Sequence, residues 1–510
     1  DDNNYDYPEP EGDYYGEEIS DWKVSIDIKN FIIFMSIIKL KGVAILLGPS
    51  GIGLLGIYNS FLAMMQKSAG LGMKMSGVRE IAASSGEENK LSLVRRVLFI
   101  AHLLQGLIAM ISVWLLRENI SIWLFGKIEF AEEVGLIGLA ILLALLSSSQ
   151  VALLQGMRKI NNLGRITVIG AFVTSLTGLF IIWLFGQNGL IWFVIIQPLT
   201  AFIVATKYTN KLPKPLNIEY SIKNQWSIWK SLAKIGIAFM LGGLISTITI
   251  LILRSKILQE LGLDAAGHFA AAWGLTMTYI GPMLAAMGAD YYPRLTEVIK
   301  NKYAAINLMN DQAQLSLSIG GPLLILLIGL APWVITLLYS SEFYPAVALL
   351  QWQAFGNIFK ILVWSIVFSH IAAGHSKTFF FLDISFNIVF LCILWPLLFS
   401  YGILIIGPAF AIANGFSLVL NFIFAKKYLG FKWDPFTLKL LILQTVLASI
   451  ALMFALQAPL MGAIFSLTIA SITGVFGLRI VVSKIGQNGS FPKKMYYIFK
   501  RVNWPIKNDA

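Results

Sequence analysis

One lysine stands where a membrane-spanning helix can least accommodate it. Lys360 lies about 13 residues from either end of the apolar stretch 346–373, roughly 20 Å from either face at ~1.5 Å per residue, too far for a lysine to snorkel comfortably. Gln353, Asn357 and Trp364 recur around it at steps of four, three and four, so the group forms one polar stripe on a helix. An ionisable group within hydrocarbon is expensive, and it faces either a cavity or a partner. The stripe therefore reads as the wall of a solvated central cavity, or else as a helix–helix hydrogen-bond seam with a buried salt bridge.

Other polar groups fall inside apolar stretches too. Lys39 and Lys41 share the first one; two residues apart on a helix is about 200° of rotation, so both cannot point into one cavity. Lys41 is near enough to Gly48 to snorkel to the interface, which leaves Lys39 as the cavity candidate. Asp290 ends the eighth stretch and has Arg294 at i+4, a spacing suited to a local ion pair, with a coupling-ion role as the alternative. Asp383 and Asn387 form a further i,i+4 pair. His102, His268 and His370 titrate in the physiological range when unperturbed, although a lone membrane histidine is more often a hydrogen-bonded packing residue.

Signatures of soluble enzymes are missing from the sequence: no P-loop, no Cys/His metal spacing and no nucleophile elbow. The single Cys392 provides neither a disulfide framework nor a Cys-based metal site. The expectation is a transporter and not an enzyme. It would need no cofactor and would be driven by H+, Na+, the membrane potential or the substrate gradient.

The elements that must position these residues are membrane spans. Hydrophobic residues make up 57% of 510 positions and charged residues 13%, with a mean hydropathy of +0.73, far from the composition of a soluble domain. Stretches long enough to cross a bilayer run over 28–47, 51–66, 96–116, 134–156, 166–186, 188–206, 235–253, 267–290, 315–340, 346–373, 378–400, 403–424, 439–456 and 459–483. The fold class expected is an all-α polytopic membrane protein of fourteen transmembrane helices. Lys and Arg crowd onto alternate loops, as at Lys74, Arg79, Arg95, Arg158, Lys207 and Lys426, while the opposite side holds Arg117, Lys127, Arg254 and Lys256. That asymmetry places the crowded side, and both termini with it, in the cytoplasm. The net charge of +12 is thus topogenic. Spread over loops at one face, it forms no groove for nucleic acid.

The chain also repeats itself. Leu47-Gly48 with Gly51 matches Leu261-Gly262 with Gly267, and Glu129-Phe130 matches Glu342-Phe343. Gly156 with Lys159 matches Gly374 with Lys377, and Lys207-Tyr208 matches Lys427-Tyr428, all at a nearly constant offset. Each pair alone is chance-level; four in order mark a duplication. The organisation expected is an acidic, Tyr-rich disordered tail over 1–27, a six-helix bundle over 28–206, a basic cytoplasmic linker over 207–234, and a second six-helix bundle over 235–424. Two additional helices over 425–483 and a basic tail over 484–510 complete it. An even number of spans per half makes the repeat parallel, the geometry of two bundles rocking about a site between them.

Two stretches resemble a known family. Lys39-Leu-Lys41-Gly-Val-Ala-Ile-Leu-Leu-Gly-Pro-Ser-Gly-Ile-Gly53, with Ser76-Gly-Val-Arg-Glu-Ile-Ala82 beyond it, is similar to the opening of the Wzx-type polysaccharide flippases, where basic residues precede an LGPxGxG turn. Leu261-Gly262, Asp290-Tyr-Tyr-Pro-Arg-Leu295 and Gln353-Ala-Phe-Gly-Asn-Ile-Phe-Lys360 resemble the same family's second half, with Asn357 in place of the commoner Asp. The resemblance covers roughly 28–430. It implies the fold of the multidrug/oligosaccharidyl-lipid/polysaccharide exporter superfamily and, as substrate, an undecaprenyl-diphosphate-linked oligosaccharide such as an O-antigen repeat unit, moved across the bacterial inner membrane. It also implies partners among membrane lipids, a downstream polysaccharide polymerase and a chain-length regulator. On that reading Lys39, Lys41 and Lys360 would hold the diphosphate by charge-assisted bonds. Gln353, Asn357 and Trp364 would contact sugar hydroxyls and faces, Arg254 would meet the diphosphate on the outward side, and Asp290, Arg294, Asp383 and His370 would couple or gate. The rivals are a cation or drug antiporter of the same fold and a flippase for a peptidoglycan precursor.

Overall fold

A computed structural model of the chain describes residues 14–84, 86–213 and 221–485. Among these residues the secondary structure is helical throughout. The helices are α1 (Tyr14–Ala69), α2 (Met73–Ala83), α3 (Glu88–Leu115), α4 (Arg117–Phe125), α5 (Ala131–Gly156), α6 (Ile160–Phe185), α7 (Gly189–Thr209) and α8 (Ile222–Leu261). They continue with α9 (Leu263–Ala286), α10 (Tyr292–Val298), α11 (Lys302–Leu338), α12 (Ala346–Ala372), α13 (Ser376–Tyr401), α14 (Ile406–Leu429), α15 (Pro435–Gln457) and α16 (Pro459–Ile485). Eleven segments are long and apolar enough to cross a membrane, and three of them, Phe34–Ala69, Ile160–Thr209 and Ser376–Leu429, hold two arms each. Parting those arms at Gly48, Gly186 and Gly402 restores the fourteen spans.

The turns carry the duplication. Gly48 has φ 62° and ψ −162°, Gly262 φ 90° and ψ 176°, Gly186 φ 57° and ψ −135°, and Gly402 φ 61° and ψ −153°. Positive φ with extended ψ is a conformation that side chains with a Cβ rarely adopt. It stands at two corresponding turns in each half. The helices between the turns correspond as well: α6 and α13 are both 26 residues long, and each gives way to a short 3₁₀ turn.

By packing, the chain divides into two compact units. The first joins the described part of Asp1–Gly42 with Ala69–Ser112 and Leu136–Ile237; the second joins Val43–Ser68, Val113–Gly135 and the described part of Ala238–Ala510. The first has a core of Met73, Val94, Ala101, Ala152 and Leu232, and Ser76 Oγ donates to Leu232 O at 2.8 Å to fix α2 against the start of α8. In the second, the turns at Gly48 and Gly262 meet. A Cβ on Gly53 would lie 2.6 Å from Leu263 O, and one on Gly267 would overlap the Pro49 carbonyl. Ser50 Oγ bonds Asp264 Oδ1 across the same junction. Backbone contact this close is the usual role of small residues where helices pack in lipid.

The last two helices belong to the second unit. Gly477 on α16 packs against Ser318 of α11, and Gly329 of α11 packs against Ser466 and Gly462 of α16. A polar seam pins their loop end: Gln314 Nε2 donates to Thr437 Oγ1 at 2.7 Å, the Asp434 amide donates to Asn310 Oδ1 at 2.8 Å, and Lys484 pairs with Asp311.

Several expectations change. Helix α1 begins at Tyr14, so the second part of the acidic stretch, read as disordered over 1–27, is helical; residues 1–13 lie outside the described residues, as do 214–220 of the linker and 486–510 of the tail. Helix α8 starts at Ile222, inside the 207–234 linker. The eighth span does not end at Asp290. A π turn over Met287–Tyr291 carries α9 into α10, so Asp290 sits within a continuing helix and opposes no terminal dipole.

Candidate functional site

The polar stripe of α12 divides in two. Gln353 and Asn357 are fully buried: Thr276 Oγ1 donates to Gln353 Oε1 at 2.6 Å, and Asn357 Nδ2 donates to the Tyr279 hydroxyl at 3.0 Å. These bonds form a seam with α9, which continues where the Tyr291 hydroxyl donates to Ser365 O at 2.6 Å. Lys360 and Trp364 leave that seam for a cavity of about 300 Å³. Positions four and three apart share a face only to within about 60°. That spread is enough for one stripe to straddle a packed flank and an open one, so the single cavity wall expected from spacing is a seam followed by a wall.

Four helices of the second unit line the cavity. Helix α12 gives Lys360, Trp364 and Phe368; α13 gives Asp383 and Phe386; α14 gives Asn414, Ser417 and Asn421; α8 gives Gly242 and Ser246. The Lys360 ammonium lies 5.7 Å from the centroid of the Phe410 ring, within cation–π range. Its cavity also holds the Asp383 side chain, and the two form no ion pair. The i,i+4 pair read for Asp383 and Asn387 is an amide-to-backbone bond: Asn387 Nδ2 donates to Asp383 O at 2.8 Å and reaches Ser246 Oγ at 3.4 Å. The Asp383 side chain is therefore on the wall of the Lys360 cavity.

None of the other candidates is among the residues that line this cavity. Lys39, in the first unit, has its ammonium 5.7 Å from the Phe193 ring centroid, and Lys41 is half-buried on the same arm of α1. Arg254 is occupied: Nη1 donates to Gly56 O and, at 2.9 Å, to Ser60 Oγ, with the Phe269 ring 6.0 Å from its guanidinium carbon. It holds the second arm of α1 to α8. Lys67 repeats that contact further along, its ammonium 2.6 Å from Thr247 Oγ1 and 3.1 Å from Gly243 O. Arg294 Nη1 meets Asp290 Oδ2 at 3.2 Å, both side chains more than half exposed, which is the local pair the spacing suggested. His370 is buried near the end of α12, its Nε2 without a partner among the described residues. His102 bonds Leu98 O at 2.8 Å and His268 bonds Glu342 O at 3.0 Å, both packing roles.

Sequence reasoning missed the α14 wall. Asn414, Ser417 and Asn421 recur at steps of three and four inside an apolar span, a signal of the same kind as the α12 stripe and readable from spacing alone. It missed Gly242 and Ser246 for another reason: what puts them at the site is the crossing of α8 over α13, and no local pattern records a crossing.

Residues 43–348 match the family described as polysaccharide biosynthesis protein, three-fifths of the chain. The chain belongs to that family. No curated protein matches its sequence significantly. Among solved structures, the fold is similar to that of a MATE-family multidrug resistance transporter of the MOP superfamily in an inward-facing conformation, with TM-score 0.68 and 15% identity over 78% of this chain and 94% of that one. It is also similar to the lipid II flippase MurJ in an inward closed conformation, with TM-score 0.66 and 14% identity over 90% of this chain and all of that one. A third likeness is to an MOP superfamily transporter from Pyrococcus furiosus whose binding pocket is described as of reverse polarity, with TM-score 0.56 and 16% identity over 79% of this chain and 93% of that one. This member of the polysaccharide biosynthesis family therefore has the MOP superfamily fold and is a multi-pass membrane protein.

Proposed function

We propose that the chain is a flippase of the bacterial inner membrane that moves undecaprenyl-diphosphate-linked oligosaccharide repeat units, of the O-antigen or a related surface polysaccharide, from the cytoplasmic to the outer leaflet by alternating access. The observation that carries the reading is Lys360, a cation deep in an apolar span that faces a cavity and forms no ion pair among the described residues. A diphosphate supplies what that ammonium lacks, and the bond is strong where water is scarce. The prenyl chain stays in lipid while the head group occupies the cavity. Both termini face the cytoplasm, as the basic loops require. The bundles over 28–206 and 235–424 rock against each other, with Lys39 and Lys41 in the first and Lys360 in the second as the cations that meet the diphosphate. For Arg254 to reach the substrate on the outward side, its bonds to Gly56 and Ser60 must first break. Asp290, Arg294, Asp383 and His370 are the candidates for coupling to H+, Na+ or the membrane potential.

The antiporter alternative calls for a cavity acidic enough to draw cations, whereas this one sets one ammonium against one carboxylate. The test is translocation of a fluorescent undecaprenyl-diphosphate oligosaccharide in proteoliposomes, comparing wild type with Lys360→Ala and Lys360→Arg. Transport lost in the alanine variant and partly kept in the arginine variant is expected. Folded wild-type protein that moves no polyprenyl diphosphate would overturn the proposal, and a fully active alanine variant would remove Lys360 from it.

A further inference from the structure

Helix α11 carries two internal prolines, Pro322 and Pro332. Proline has no N–H, so at each of them the carbonyl four residues back loses its helical donor, and the helix can bend there. The carbonyls released are those of Ser318 and Ile328. At Pro332 a side chain makes good the loss: Gln351 of α12, 1% exposed, donates from Nε2 to Ile328 O at 3.2 Å. That bond ties α11 to α12 and braces the break.

At Pro322 a second buried glutamine is in place, with its oxygen unbonded. Gln444 of α15 is 1% exposed, and its amide atoms lie 2.6–3.0 Å from where a Cβ on Gly321 would stand. Gln444 Oε1 is buried with no hydrogen-bond partner among the described residues, and so is Ser318 Oγ. Cβ positions three apart on a helix are about 5–6 Å from each other, so an acceptor and a donor, both orphaned, stand within one helical turn. Each is costly unpaired, and each is the complement the other lacks. Helix α16 meets the same break, with Gly477 packed on Ser318 O and a Cβ on Gly474 placed 3.8 Å from the Pro322 ring. On another face of α11, a Cβ on Gly320 would lie 3.1 Å from Met283 of α9 and 3.2 Å from Ile361 of α12. Ile361 is the neighbour of Lys360, so a change of angle at Pro322 reaches the helix that carries the buried cation.

We infer that Pro322 is a hinge with a latch: α11 bends there between two shapes, and Gln444 of α15 holds the second shape, its Oε1 accepting a hydrogen bond from Ser318 Oγ that the present shape leaves unmade. Pro332, already bridged by Gln351, stays fixed. Helices α15 and α16, which lie outside the duplicated halves, thereby set the balance between the two shapes of α11. Such a latch acts on the helix whatever the cargo.

The test measures the length of α11 in full-length protein in nanodiscs, in a Cys392→Ser background. Spin labels on Tyr303→Cys and Leu337→Cys, both exposed positions, report its end-to-end distance by pulsed electron paramagnetic resonance, about 51 Å for a straight helix at ~1.5 Å per residue. The otherwise unaltered labelled protein should show two lengths. Ser318→Ala and Gln444→Leu should each lower the shorter, bent form about fivefold relative to the longer one, the effect of one ordinary hydrogen bond. The double variant should go no further than either single change, since both remove the same bond. Pro322→Ala returns a donor to Ser318 O and should leave the longer form alone. Ser318→Ala is the mildest change and keeps the test decisive if Gln444→Leu fails to fold. A single length before any latch substitution, populations that the variants leave as they were, or losses that add in the double variant overturn the latch.

Discussion

Asp383 gives the sharpest prediction, because it is the one carboxylate lining the Lys360 cavity among the described residues. In the empty cavity its negative charge partly satisfies the lysine, so a diphosphate must compete with it. The two are more than 4 Å apart, and beyond that distance two unit charges interact by at most about 4 kcal/mol at an effective dielectric constant of ~20. Taken whole, that bound is about a thousandfold in affinity. The cavity has room for roughly ten waters, so screening should reduce the effect to about tenfold. Asp383→Asn removes the competing charge and keeps the shape. Its affinity for undecaprenyl diphosphate should rise about tenfold, read from titrated quenching of Trp364 fluorescence in nanodiscs, with a Trp364→Phe control to isolate that signal. Turnover in proteoliposomes should fall, because release is harder. Adding Lys360→Met to Asp383→Asn should bring binding back below that of Asp383→Asn alone, since the lysine is the cation that meets the diphosphate. If Asp383→Asn instead weakens binding as much as Lys360→Met does, the carboxylate supports the site and the competition argument is wrong.

Three further outcomes follow from the packing. Gly267→Ala places a methyl on the Pro49 carbonyl; neither backbone can yield cheaply, so thermal unfolding in detergent should show a loss of about 1–3 kcal/mol, whereas Gly281→Ala, with nothing near its Cβ, should be close to neutral. Arg254→Ala removes two charge-assisted bonds between α8 and the second arm of α1, about 2–4 kcal/mol, and a cysteine at position 60 should then react faster with a membrane-impermeant maleimide in a Cys392→Ser background; an unchanged rate would mean that Arg254 holds nothing shut. Gln314→Leu strands the Thr437 hydroxyl and takes one donor from Asp434 at the foot of α15, so limited proteolysis should cut the 430–434 loop sooner than in wild type, with transport affected less than by Lys360→Ala.

How much of this was legible follows from where each signal lives. Span positions were readable because bilayer burial writes itself into unbroken apolar runs, and the duplication was readable in part because one of its turns needs glycine at Gly48 and again at Gly262, whereas the matching pair Gly186 and Gly402 shows in the backbone. Lys360 announced itself by its cost. Hidden were the facts created by helix crossings: that Gln353 and Asn357 turn to Thr276 and Tyr279 while Lys360 does not, and that Arg254 is already held by Gly56 and Ser60. Helix α1 started earlier than composition implied because charged residues remain good helix formers when a long helix already continues beyond them.

The duplication makes the position of the site an argument in itself. Helices α5 and α12 correspond in the repeat, each entered from the turn bearing the Glu-Phe pair, and counting from that pair places Ser147 where Lys360 stands. Helix α5 is apolar from Gly138 through Leu146 and turns polar at Ser147-Ser148-Ser149-Gln150, but it carries no charged residue there, whereas α12 carries Lys360. Two copies of one ancestral unit would place like groups at like positions, so the charge at Lys360 belongs to divergence after the duplication and not to the frame. A transporter that gripped its head group equally with both halves would gain little by moving one against the other, because the same bonds would hold on each side of the membrane. The cation, amides and rings of this cavity are all gathered in the second unit. Lys360→Ala should therefore weaken diphosphate binding more than Lys39→Ala does, and equal losses in a titration of the two variants would show that the grip is not concentrated in the second unit.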